Sequence, residues 1–116
     1  WAVRGGQDPI YWLKKLGTRC DLLHQKDLPA SVDPVNVFEK LGYDNPITFA
    51  SFGAILDVGS FAEVGEGTLN IPGIITAART YNLARYIIVE QDMSKRPELE
   101  SIAVSFANLN RLLAGN

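Results

Sequence analysis

One cysteine, one histidine and one methionine stand in a chain of 116 residues. A lone Cys20 cannot form an internal disulfide framework, so a reducing, cytoplasmic setting is the simplest reading. Cys20 itself reads as a small buried hydrophobe. Charge of one sign is also scarce in excess: 11 Lys and Arg against 13 Asp and Glu give a net charge of −2. That balance suggests no polyanion partner. The absence of a basic stripe interleaved with aromatics disfavours nucleic-acid binding. The apolar runs are too short to cross a bilayer, and no secretory signal is visible. With 47% hydrophobic and 21% charged residues, the composition is that of one soluble globular domain.

Two strand ends carry chemistry. One reads Cys20-Asp21-Leu22-Leu23-His24-Gln25-Lys26-Asp27, the other Arg85-Tyr86-Ile87-Ile88-Val89-Glu90-Gln91-Asp92. Each is a short apolar run that delivers a histidine or a carboxylate and then turns polar. In parallel α/β sheets, ligands collect at the carboxyl ends of the strands.

Around them the pattern alternates. Asp8 and Pro9 suit the cap and first position of a helix whose apolar residues are Ile10, Leu13 and Leu16, ended by Gly17. A strand over 20–24 follows, then a long irregular stretch over 28–60, with a short helix through Val35, Phe38 and Leu41. That stretch is read as an excursion over a site. Phe61–Val64 reads as a second strand, broken at Gly65-Glu66-Gly67. Asn70 caps a helix over 71–82, residues 85–90 form a third strand, and Pro97 opens a last helix. Leu99, Ile102, Ala103, Phe106, Leu109 and Leu113 share one side of it. Strand–helix alternation implies right-handed crossovers and a parallel sheet. Three strands do not close, and a (β/α)₈ barrel takes about 250 residues. The predicted fold is therefore α/β, a partial (β/α)₈ TIM barrel containing about its last three strands and their helices, with residues 1–116 as its carboxyl-terminal half.

The runs Trp1–Pro9, His24–Asp27, Val64–Gly67 and Val89–Asp92, in this order and spacing, resemble the sugar phosphate isomerase/epimerase family, the xylose-isomerase-like TIM-barrel superfamily. The resemblance spans essentially the whole chain. It implies one divalent cation (Mn²⁺, Mg²⁺ or Co²⁺) held by a Glu, an Asp, a His and a Glu from four strand ends. His24 matches the His after the sixth strand, and Glu90 the Glu after the eighth. The other two ligands would precede Trp1. It also implies that Glu90 is both ligand and proton-shuttling carboxylate.

Imidazole and carboxylate suit such a cation, which polarises a carbonyl and stabilises an enediolate. Glutamates nearby can move the proton. The implied activity is isomerisation or epimerisation of a sugar or sugar phosphate, with this chain inactive by itself. A dehydratase acting on a cyclic polyol ketone is the alternative enzyme, and a half-barrel binding or assembly module the alternative without catalysis. A multinuclear zinc endonuclease of the same superfamily would need more than one histidine. Trp1, Lys26, Asp27, Glu66 and Asp92 are candidates for supporting the site or touching substrate. Asp27 is read as orienting His24 or Lys26 and not as a ligand. Plainer readings stand beside the others: Lys26 points to solvent or pairs with Asp27, Gly65-Glu66-Gly67 is a tight turn, and Glu90 forms a salt bridge to Lys26 or to an arginine of a neighbouring strand. Exposed sheet edges would invite a second copy of the chain.

Overall fold

The computed structural model describes residues 1–32, 42, 48–54, 56–82 and 84–115. Among them run helix α1 (Pro9–Leu16), strand β1 (Leu22–Gln25), helix α2 (Phe49–Gly53), helix α3 (Ile71–Ala77), strand β2 (Tyr86–Val89) and helix α4 (Glu98–Ala114). The architecture is mixed α/β, with a two-stranded parallel sheet and four helices among the described residues.

The helix ends follow their local chemistry. Asp8 Oδ1 accepts the Ile10 N–H at 2.9 Å, satisfying one of the donors a helix start leaves over. Gly17 takes a φ of +57°, which a side chain would resist, and α1 stops there. Asn70 Oδ1 accepts from Gly73 N–H at 3.0 Å and starts α3. Residues 78–82 extend α3 as a wider π-type turn, so the expected helix over 71–82 changes winding at Ala78. The helix expected through Val35, Phe38 and Leu41 falls outside the described residues, while α2 gives the 28–60 stretch regular structure of its own.

β1 pairs directly with β2, in the register Leu22↔Tyr86, Leu23↔Ile87, His24↔Ile88 and Gln25↔Val89. This corrects the three-strand expectation. Phe61–Val64 forms no strand; it makes one antiparallel bridge, Ala62 to Asp27. Its backbone groups are drawn elsewhere: Ala62 N–H donates to Asp27 O at 3.3 Å, and Val64 N–H to Ser105 Oγ at 3.1 Å. No ladder can extend from such a segment. The two chemistry-bearing strand ends are thus immediate neighbours, not separated by a third strand.

Alternation sorts the sheet into two faces. Leu23 packs with Leu13, Ile74, Ala77 and Ala78, between α1 and α3. Ile87 and Val89 pack with Val64, Ile71, Ile75 and Leu109, between α3 and α4. Leu22, Tyr86 and Ile88 point the other way and are exposed. Cys20 lies half-buried against the Leu13 cluster, as a packing residue.

α4 departs from its expected orientation. Ser101, Ser105, Asn108 and Leu109 are its buried residues, whereas Leu99, Ile102 and Phe106 are exposed, Leu99 at 88%. The small serines let the helix lie close on the Val64–Gly65 backbone, where Ser105 accepts the Val64 N–H. The helix therefore presents its polar side inward, and most of its apolar stripe faces out.

Candidate functional site

The ladder carries on beyond β2: Glu90 N–H donates to Gln25 O at 3.1 Å. Residues 24, 88 and 90 therefore share a sheet face, with Glu90 one step past the Ile88 that faces His24. Their side chains meet. His24 Nδ1 lies 2.9 Å from Glu90 Oε2, and both groups are partly open to solvent. With a proton on Nδ1, the imidazole donates to the carboxylate and its Nε2 is left for another partner.

Lys26 ends the same row but is only 7% exposed. Its ammonium lies 2.7 Å from Asp92 Oδ2 and 3.3 Å from Glu90 Oε1. Neither oxygen stands where a directed hydrogen bond needs it, so the attraction is ionic. The rings of Trp1 and Phe61, in edge-to-face contact at 5.7 Å, lie 5.4 and 5.6 Å from Lys26 Nζ. A buried cation without partners costs several kcal/mol. Here two carboxylates and two ring faces offset that cost. Lys26 thus turns inward to Glu90 and Asp92, and neither toward solvent nor onto Asp27.

Asp27 has other work. Its side chain is buried on the helix-facing side of the sheet, and it accepts four backbone N–H groups. Leu28 and Leu69 donate to Oδ1 at 2.8 and 3.1 Å, Gly65 and Gly67 to Oδ2 at 2.9 and 3.0 Å. The carboxylate fixes the Val64–Leu69 turn instead of orienting His24 or Lys26. The turn needs its glycines: Gly65 has a φ of +87°, and a Cβ on Gly67 would stand 2.3 Å from Asp27 Oδ1.

Glu66 belongs to a different cluster. It accepts from Arg96 Nη1 at 2.8 Å, and the same nitrogen lies 2.7 Å from Glu63 Oε2. Ser94 Oγ donates to Glu63 Oε1 at 2.7 Å. Burial pushes the Glu63 carboxyl up. Ser94, the adjacent Ser101, its own backbone and Arg96 together outweigh that and hold it below the usual carboxylate value. Ser101 Oγ contributes by proximity, since it has no partner in hydrogen-bonding geometry.

The structure thus gathers His24, Glu90, Lys26, Asp92 and Trp1, and assigns Asp27 and Glu66 to neighbouring structural networks. Phe61, Arg4 and the Glu63–Arg96 pair belong to this end of the molecule and carried no sequence motif. Arginines and phenylalanines of this kind are usually surface and core residues respectively, so their type alone announces nothing.

His24 and Glu90 fit a divalent cation in donor chemistry, one borderline nitrogen and one hard oxygen. Their 2.9 Å separation is close to that of two adjacent ligands in octahedral coordination with bonds of about 2.1 Å. Among the described residues no three His, Cys, Asp or Glu side chains converge, so these two would need ligands from elsewhere. No helix among the described residues is long and apolar enough to cross a membrane. Comparisons with protein-family models, curated proteins and solved structures found no match to this chain.

Proposed function

We propose that this chain supplies part of the active site of a divalent-metal-dependent isomerase or epimerase of sugars or sugar phosphates. The observation that carries this reading is the His24–Glu90 contact at the ends of two adjacent parallel strands. Strand ends of this kind are where α/β enzymes place their chemistry. Among the described residues one sheet face is uncovered and the sheet has two strands, which supports a barrel completed by further strands. In that arrangement β1 and β2 are consecutive barrel strands, which replaces the sixth-and-eighth assignment.

His24 and Glu90 would hold the cation, whose contribution when bound is to polarise the substrate carbonyl. Glu90 does the proton removal, and delivery of a proton to the opposite face falls to a second carboxylate from outside this sequence. The Glu90 carboxylate takes a proton from the carbon beside the carbonyl; the C–H electron pair becomes the C=C bond of the enediolate. Returning a proton to the neighbouring carbon gives the isomer, and to the opposite face of the original carbon the epimer. Lys26 fixes the other Glu90 oxygen, so the carboxylate enters the step already oriented. Trp1 offers a ring wall beside the same groups.

The test is turnover of a ketose panel with Mn²⁺ by the complete protein that carries this sequence, with and without Glu90→Gln. The expected loss is about a thousandfold or more in kcat, because a proton-transfer group is removed. Undiminished turnover by the variant would overturn Glu90's role. Dehydration in place of isomerisation would shift the reading to a cyclic-polyol dehydratase on the same site. A non-catalytic assembly module is the second reading, favoured by the same uncovered sheet face.

A further inference from the structure

Among the described residues, two cations are buried at this end of the molecule, and they differ in how their donors are met. Lys26 is met by Glu90, Asp92 and two aromatic rings. Arg4 is 8% exposed, and its Nε and Nη1 are buried with no hydrogen-bond partner. A guanidinium cannot shed its charge to escape burial, as an amine can. Leaving two of its nitrogens without acceptors forfeits hydrogen bonds that are among the strongest a protein makes.

Arg4 lines a cavity together with Trp1, Lys26, Asp27, Leu28 and Phe61. The carboxylate in that lining cannot serve Arg4, because both Asp27 oxygens are engaged by the four amides described above. The cavity is small, about 20 Å³, room for one or two oxygen-sized atoms. It shares Trp1, Val3, Lys26 and Leu69 with a wider cleft of about 220 Å³ that reaches His24.

We infer that Arg4, with Lys26 beside it, forms an oxyanion subsite that takes the phosphate or carboxylate end of a small ligand whose body lies in the cleft toward His24. Arg4 offers its unpartnered Nε and Nη1 N–H groups, and Lys26 stands beside it. The apolar lining of Trp1, Phe61 and Leu28 keeps the field unscreened. As a statement about substrate, this rests on the proposed isomerase reading and narrows it to anionic sugars. As a statement about binding, it requires neither metal nor turnover.

The experiment is a thermal-shift and calorimetric titration of the full chain with inorganic phosphate and, separately, acetate, at constant ionic strength set with chloride. Arg4→Met and, as a surface control, Arg19→Met are titrated in parallel. Saturable stabilisation of the wild type is expected, weakened about tenfold or more in Arg4→Met and retained in Arg19→Met. A response to phosphate alone assigns a phosphoryl group; a response to acetate alone assigns a carboxylate. Without ligand, Arg4→Met should melt above the wild type, since it removes a buried unpaired charge. Should Arg4→Met fail to fold, the Arg4 Nε–H resonance of the wild type reports directly, and a saturable shift on adding the anion is expected. Absence of saturable binding, or equal binding by Arg4→Met, overturns the subsite. Anion binding by this chain without turnover of any ketose by the complete protein leaves the subsite standing and removes the isomerase reading; turnover by the complete protein with no anion binding does the reverse.

Discussion

The two faces of the β1–β2 sheet have the same backbone and opposite fates. On one, Leu23, Ile87 and Val89 sink into clusters built by α1, α3 and α4, and Asp27 continues the row as a buried carboxylate with four amide partners. On the other, Leu22, Tyr86 and Ile88 stand exposed, and the row ends in His24, Lys26 and Glu90. The covered face is packed against helices, with its apolar strand residues partly buried against two clusters. The open face is apolar at its base and chemically armed at its carboxyl end, as the inner wall of a larger sheet would be. Helix packing and the candidate site are thus divided between two sides of eight strand residues.

The largest expected effect comes from breaking the covered face at its polar end. Asp27→Asn puts an NH₂ group against amides that themselves donate, stranding buried N–H groups of the Val64–Leu69 turn. A loss of about 3 kcal/mol or more is expected, read as a lower urea midpoint with an unchanged slope. A loss below 1 kcal/mol would mean that the turn is held by something other than this carboxylate.

Much of the covered face was legible in the sequence, and the open face much less so. Asp8, Pro9, Gly17, Asn70 and Pro97 marked helix boundaries because capping is local chemistry, needing only three or four neighbouring residues. The apolar runs over 85–90 and 20–24 marked the strands to within about two residues, for the same reason. Phe61–Val64 misled because its alternation is that of a strand, while its N–H groups are claimed by Asp27 and Ser105, 35 and 41 positions away from the residues they meet. α4 misled in the same way. Its stripe through Leu99, Ile102 and Phe106 is real, but periodicity identifies a face without saying which side the neighbours lie on. In the site, His24 and Glu90 were visible as residue types at strand ends. The clamp on Lys26 and the isolation of Arg4 were not, since both depend on side chains brought together only by the fold.

A smaller effect is expected at the margin of the covered face, where Glu63 joins Ser94 and Arg96. Its carboxyl is held below the ordinary value of 4.5, so its charged form is favoured by folding. The stability it contributes is fully present above the ordinary carboxylate range and is lost as pH falls through the depressed folded value. Glu63→Gln should therefore cost about 1 kcal/mol at neutral pH, where Arg96 and solvent share the load. It should also flatten the acid limb of a stability-against-pH curve. An unchanged acid limb would assign the acid sensitivity to other carboxylates.

The smallest effect belongs to the open face, and it distinguishes what covers that face. Ile88 is 44% exposed, so Ile88→Ser removes little buried area from this chain and should change its stability by less than about 0.5 kcal/mol. In a completed barrel the same side chain would lie inside, and the substitution should cost about 2 kcal/mol or more. If a second copy covers the face instead, the melting temperature of this chain rises with its own concentration, and Ile88→Ser abolishes that dependence. Each case has a separate signature: neutral in the chain and costly in the larger protein for a barrel wall, concentration-dependent in the chain alone for self-association. A substitution neutral in both settings would mean that the open face serves only to carry His24, Lys26 and Glu90 to the strand ends, and that nothing is built upon it.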